Sequence, residues 1–95
     1  MDIRDAQNWV VDAWNKSQSK MNKTAELASF LEESGEMAEA IRKIEHGKKN
    51  CKVDLEKEMG DILLSLLTLA IRYDVDLQKA FDKTMEDVQK KYIVK

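Results

Sequence analysis

Apolar residues recur at helical spacing in four successive stretches of this 95-residue chain, and no proline interrupts any of them. No segment alternates apolar and polar residues as a half-buried strand does. An all-α fold follows. The first helix is expected from about Ile3 to Ser17, with Asp2 as N-cap and Ile3, Ala6, Val10 and Ala13 on one stripe. Polar residues Asn15 to Asn22 supply a turn. The second helix starts near Lys23, capped by Asn22 or Thr24, and carries Leu27, Phe30, Leu31, Met37, Ala38 and Ile41. It closes at His46 and Gly47, where glycine can take the left-handed conformation. Beyond a lysine-rich loop, Lys48 to Lys52, the third helix is expected to begin after Asp54 and run to about Tyr73. Asp76 caps a fourth helix carrying Leu77, Ala80, Phe81, Met85 and Val88, ahead of a tail from Lys90 to Lys95.

The third helix constrains the assembly. From Ile62 to Ile71 eight of ten residues are apolar, whereas an ordinary surface helix has an apolar stripe of about 100°. Burying one exposed Leu or Ile contributes roughly 1.5–3 kcal/mol, and a small domain has only about 5–15 kcal/mol of net stability. Several such side chains left wet would therefore be costly. The expected architecture is one domain over residues 1–95, a four-helix bundle protomer in a homo-oligomer; a tightly wrapped monomer is the alternative.

Charge removes several functional classes. Sixteen Lys and Arg against eighteen Asp and Glu leave a net charge of -2, with no basic excess to neutralise a phosphate backbone, so no nucleic-acid partner is expected. The apolar run in the third helix is about half the roughly twenty residues a membrane span needs, so no membrane partner is expected either. The opening Met1-Asp2-Ile3-Arg4-Asp5 has no apolar stretch of the secretory type. The single cysteine, Cys51, placed in the loop before the third helix, cannot form an internal disulfide. A cytoplasmic location is expected.

The informative residues are carboxylates standing where the helical period asks for apolar side chains. Glu33 falls on the line Phe30-Glu33-Met37-Ile41, with Glu36 one turn on; Glu58 falls on the line Leu55-Glu58-Ile62, with Asp61 three residues later. Residues at i and i+3 share a helix face, so each helix presents a pair of acids bordering its core stripe. Glu32 adds a fifth acid. Converging carboxylates repel one another, and burial raises their pKa values further. A hard divalent cation with oxygen ligands resolves the conflict, and inward-facing Glu residues build such sites in helical bundles. The absence of a Glu-x-x-His motif argues against a di-iron centre, and His46, the sole histidine, stands in a helix C-terminal turn where a dipole interaction suits it. Glu26, Glu39 and Glu45 read as ordinary solvated acids, and a solvated face is also the plain alternative for either pair taken alone.

These residues resemble a known family. Leu31-Glu32-Glu33-Ser34-Gly35-Glu36-Met37-Ala38-Glu39-Ala40-Ile41, then Glu58-Met59-Gly60-Asp61-Ile62-Leu63, and later Leu69-Ala70, are similar to the EExxE and ExxD blocks of the MazG-like nucleoside triphosphate pyrophosphohydrolases. Val75-Asp76-Leu77 with Ala80-Phe81 also looks like that family's turn and fourth helix; the likeness covers roughly Phe30 to Tyr92. The resemblance implies an all-α bundle, dimeric or tetrameric, that hydrolyses a (deoxy)nucleoside triphosphate to the monophosphate and pyrophosphate. It implies Glu33, Glu36, Glu58 and Asp61 as ligands of Mg2+, with Mn2+ as a possible substitute. Glu32 and Glu33 are the candidate catalytic acids, Glu32 for orienting or deprotonating a metal-activated water that attacks the α-phosphorus.

Lys83 and Lys91 are candidates for the phosphates, with Lys90, Lys23 and Arg72 behind them, and Trp14 for stacking on a base. Each has an ordinary structural alternative, the lysines as solvated charges and the tryptophan as core. Many relatives carry a Lys and an Asn where Thr84 and Val88 stand here, and some carry a tyrosine at the position of Ser65. Two other readings compete: phosphoribosyl-ATP pyrophosphohydrolase, which has a similar bundle and acids, and a non-catalytic helical interaction module whose acids are surface charges.

Overall fold

The computed structural model of the chain describes residues 1–17, 22–47 and 51–92, apart from the side chains of 17 and 51–54. Four helices and no strand occur among them: α1 (Ile3–Ser17), α2 (Lys23–Glu45), α3 (Cys51–Arg72) and α4 (Leu77–Tyr92). The all-α expectation holds. None of the described helices is long and apolar enough to cross a membrane.

Helix ends follow local chemistry. The Asp2 carboxylate accepts the Asp5 N–H at 2.8 Å, and Asn22 Oδ1 accepts the Ala25 N–H at 2.8 Å. Asn22, rather than Thr24, is therefore the cap of α2. Asp76 accepts the Lys79 N–H at 3.0 Å and caps α4. Gly47, with φ 75°, turns the chain out of α2. The end of α3 uses the same left-handed device with a costlier residue, Asp74 at φ 54°. Around it the Val75 N–H donates to the Ala70 carbonyl (2.9 Å) and the Asp74 N–H to the Ile71 carbonyl (3.2 Å). That pair of bonds satisfies carbonyls a helix end leaves open.

Two expected boundaries move. α3 begins at Cys51, so Cys51 and Lys52 are helical rather than loop, and Asp54 lies inside the helix instead of capping it. No glycine or proline stands between Cys51 and Leu55 to stop the helix extending back a turn. α4 likewise continues through Lys90 and Lys91 to Tyr92. The remainder of the expected loop, residues 48–50, half of the first turn, residues 18–21, and the end of the tail, residues 93–95, lie outside the described residues, while Asn15 to Ser17 of that turn are still helical.

The chain divides into two compact units, one from Met1–Ser19 with Ala70–Lys95, the other from Lys20–Leu69. In the first, Val10 and Ala70 are buried and Gln7 acts as a clamp. Its Nε2 donates to the Val75 carbonyl (3.0 Å) and its Oε1 accepts the Leu77 N–H (2.9 Å). One side-chain amide thus satisfies both sides of the turn between α3 and α4. Arg4 meets Asp76 at 3.5 Å, and the Arg72 guanidinium lies 4.2 Å from the Trp14 ring centre. In the second unit Ala40 and Leu67 are buried, together with the charged Glu26. Many apolar side chains stay in water: Leu27, Leu31 and Ile41 on α2, and Met59, Leu63 and Leu64 on α3.

Candidate functional site

The second unit positions the acids. Glu33 and Glu36 stand one turn apart on α2, and α3 brings up Glu58. One carboxylate oxygen from each lies within 4.8 Å of the other two. Glu33 and Glu58 are half-buried, and Glu36 is exposed. The Oε2 atoms of Glu33 and Glu58 are buried and, among the described residues, have no hydrogen-bond partner.

Electrostatics register the crowding. Burial first, then the negative charges of Asp61 and Glu58, push the Glu33 carboxyl above the usual range. Glu36 is raised first by the Glu58 carboxyl beside it, against which the protonated form is favoured, then by the charges of Glu58 and Glu33. Both groups thus resist ionising in the metal-free protein.

Asp61 is near enough for its charge to act on Glu33, yet it stands outside the three-acid group. Its carboxylate accepts Lys57 Nζ, one turn back on α3, at 3.2 Å, and this partner raises the lysine pKa. The i, i+4 spacing of Lys57 and Asp61 was legible as a pair, but nothing in the sequence ranked it above a role for Asp61 beside Glu58. Glu32 is exposed on the neighbouring side of α2, and its charge contributes to raising Glu36.

Three orphaned or crowded carboxylates suit a hard divalent cation. They offer anionic oxygens only, which favours magnesium or manganese over metals that prefer nitrogen or sulfur. A cation there would satisfy the two buried oxygens and reverse the repulsion, so the residues present fit such an ion. Glu36 and Glu58 also line a cavity of about 220 Å³ whose other walls are Glu39, Ala40 and Lys43. A second cleft, about 150 Å³, is lined by Glu26, Ser29, Leu64, Ser65 and Thr68.

The remaining candidates belong to the first unit. Trp14 is half-buried beneath Arg72. Lys83 is exposed 4.0 Å from Asp87, and Lys90 lies 3.0 Å from Glu86. Lys91 is exposed over the Tyr92 ring at 5.4 Å. In these positions Lys83 and Lys90 make i, i+4 ion pairs typical of a solvated helix.

Comparison with known proteins agrees with the motif. The profile of the MazG nucleotide pyrophosphohydrolase domain matches residues 20–93. The chain is also 26% identical to the "Uncharacterized protein YvdC" of Bacillus subtilis (strain 168), in an alignment covering 97% of each chain.

Proposed function

The chain belongs to the MazG nucleotide pyrophosphohydrolase family, and on that premise we propose that it hydrolyses a nucleoside or deoxynucleoside triphosphate to the monophosphate and pyrophosphate, with magnesium. The observation that carries this reading is the convergence of Glu33, Glu36 and Glu58, two of them with a buried oxygen that has no hydrogen-bond partner among the described residues. A triphosphate is polyanionic, and a bare acidic cluster would repel it. When bound, magnesium supplies positive charge for the phosphate oxygens and acidity for water.

The side chains supply the rest. Glu33, Glu36 and Glu58 hold the ion, and Asp61, steadied by Lys57, joins them or orients their surroundings. Glu32, exposed beside them, accepts the proton of the attacking water at its carboxylate. Lys83, Lys91 and Trp14 remain candidates for phosphate and base contacts. The leaving group is pyrophosphate because attack falls on the α-phosphorus.

We propose further that the protein works as a homodimer or homotetramer in the cytoplasm, as a single domain. Support comes from Leu27 and Leu31 on α2 and Met59, Leu63 and Leu64 on α3, all substantially exposed. Incubation with a panel of dNTPs and NTPs plus magnesium tests the activity. Monophosphate and pyrophosphate are the expected products; a diphosphate with inorganic phosphate would contradict attack at the α-phosphorus.

A further inference from the structure

One face of α2 that runs from buried to exposed positions is largely polar, with Ala40 its one apolar residue. Glu26, Ser29, Glu33, Glu36, Ala40 and Lys43 follow one another at alternating steps of three and four, the spacing of a single helix face. From Glu26 to Lys43 the stripe covers eighteen residues, about 25 Å of helix at 1.5 Å per residue step. It is long enough to lie under an extended ligand rather than an ion alone. The acids occupy its middle, and its two directions differ in chemistry.

Towards the N-terminus of α2 lies the cleft of Glu26, Ser29, Leu64, Ser65 and Thr68, which among the described residues is lined by a carboxylate and three hydroxyls and no cation. Towards the C-terminus lies the larger cavity, which shares Glu36 and Glu58 with the acid cluster and adds Lys43. Lys43 is half-buried, and among the described residues it makes no ion pair or hydrogen bond. Its neighbour Arg42, by contrast, is neutralised by Glu39 at 2.6 Å. A lysine without a partner, walling a cavity next to carboxylates that fit a metal, suits an anion that the metal also attracts.

We propose that Lys43 binds the pyrophosphate end of the substrate, so that the triphosphate runs along α2 towards its C-terminus and the nucleoside points towards Ser29 and Glu26. This rests on the nucleotide reading above and gives it a direction. The α-phosphate lies at the acids, the terminal phosphates meet the ammonium group, and the uncharged sugar and base meet acceptors and hydroxyls. The reverse polarity would set the terminal phosphates against a carboxylate and, among the described residues, no cation.

Titration of inorganic pyrophosphate into the full chain, with magnesium present, tests the assignment in the wild type, Lys43→Ala and Lys43→Arg. The wild type is expected to bind, Lys43→Ala to bind about tenfold more weakly or worse, and Lys43→Arg to recover most of the loss. The rise in melting midpoint with magnesium alone should be the same in all three, which separates a phosphate contact from damage to the fold or the metal site. Equal affinity of Lys43→Ala and wild type, or no binding by the wild type, would overturn the proposal. Nucleotide turnover separates the two levels. Hydrolysis with an unchanged kcat/KM in Lys43→Ala sinks this inference alone, whereas absence of hydrolysis in the wild type sinks the reading beneath it.

Discussion

At Glu33 and Glu36 the crowding of like charges has a direction that can be measured. Both carboxyls are raised, Glu33 chiefly by burial and Glu36 chiefly by Glu58. For an acid whose folded pKa exceeds its unfolded value, the native state binds the extra proton. Its favourable contribution is complete below the unfolded pKa and lost as pH rises through the folded one. In chelator, therefore, these two groups should make the melting midpoint fall as pH rises through and above the ordinary Glu range. Asp76, lowered by the Lys79 N–H, acts in a separate window below the ordinary Asp range, where its contribution is lost on acidification. Magnesium competes with protons, so the gap between magnesium and chelator melts should widen with pH; a gap independent of pH would contradict the site. Glu36→Gln removes one repelling charge. It should cut turnover by orders of magnitude yet raise the metal-free midpoint, a combination that loss of an ordinary solvated acid would not give. The convergence of Glu33, Glu36 and Glu58 was legible because helical spacing places polar residues on a core line. The pairing of Asp61 with Lys57 was less so, since both partners are charged and either could have turned to water.

Among the elements, capping was the part most readable in advance, because Asp2, Asn22, Gly47 and Asp76 act on backbone within a few residues. The Gln7 clamp was not. Its partners, Val75 and Leu77, are 68 and 70 residues away, and a glutamine on a helix carries no sign of what it will meet. Replacing it by alanine leaves a carbonyl and an N–H of the turn without that partner. Chemical denaturation of Gln7→Ala should show a loss of about 1–3 kcal/mol, whereas a loss near zero would mean that water replaces the amide. The early start of α3 has a similar lesson. Asp54 looks like a cap, but a favourable cap residue does not end a helix that nothing else interrupts.

For the whole molecule, the sequence showed that too many apolar residues had to be covered by too little chain, but periodicity could not tell which would remain wet. The exposed set includes Leu31 on α2 and Leu63 on α3, 60% and 51% accessible. Covering what remains exposed of each would contribute roughly 1–2 kcal/mol, which favours a second copy over solvent. Light scattering coupled to size exclusion should report a dimer or tetramer for the wild type. Leu31→Lys and Leu63→Lys, made separately, should shift at least one variant towards the monomer. A wild-type monomer at working concentration would contradict the assembly while leaving the acid cluster untouched.

The most direct measurement is calorimetric titration of magnesium into the wild type and Glu58→Gln at one pH above neutrality. Shared ligation across α2 and α3 requires clear binding by the wild type and at least about tenfold weaker binding once Glu58 loses its charge. Indistinguishable isotherms, or no heat of binding in the wild type, would show that these carboxylates do not hold a common ion.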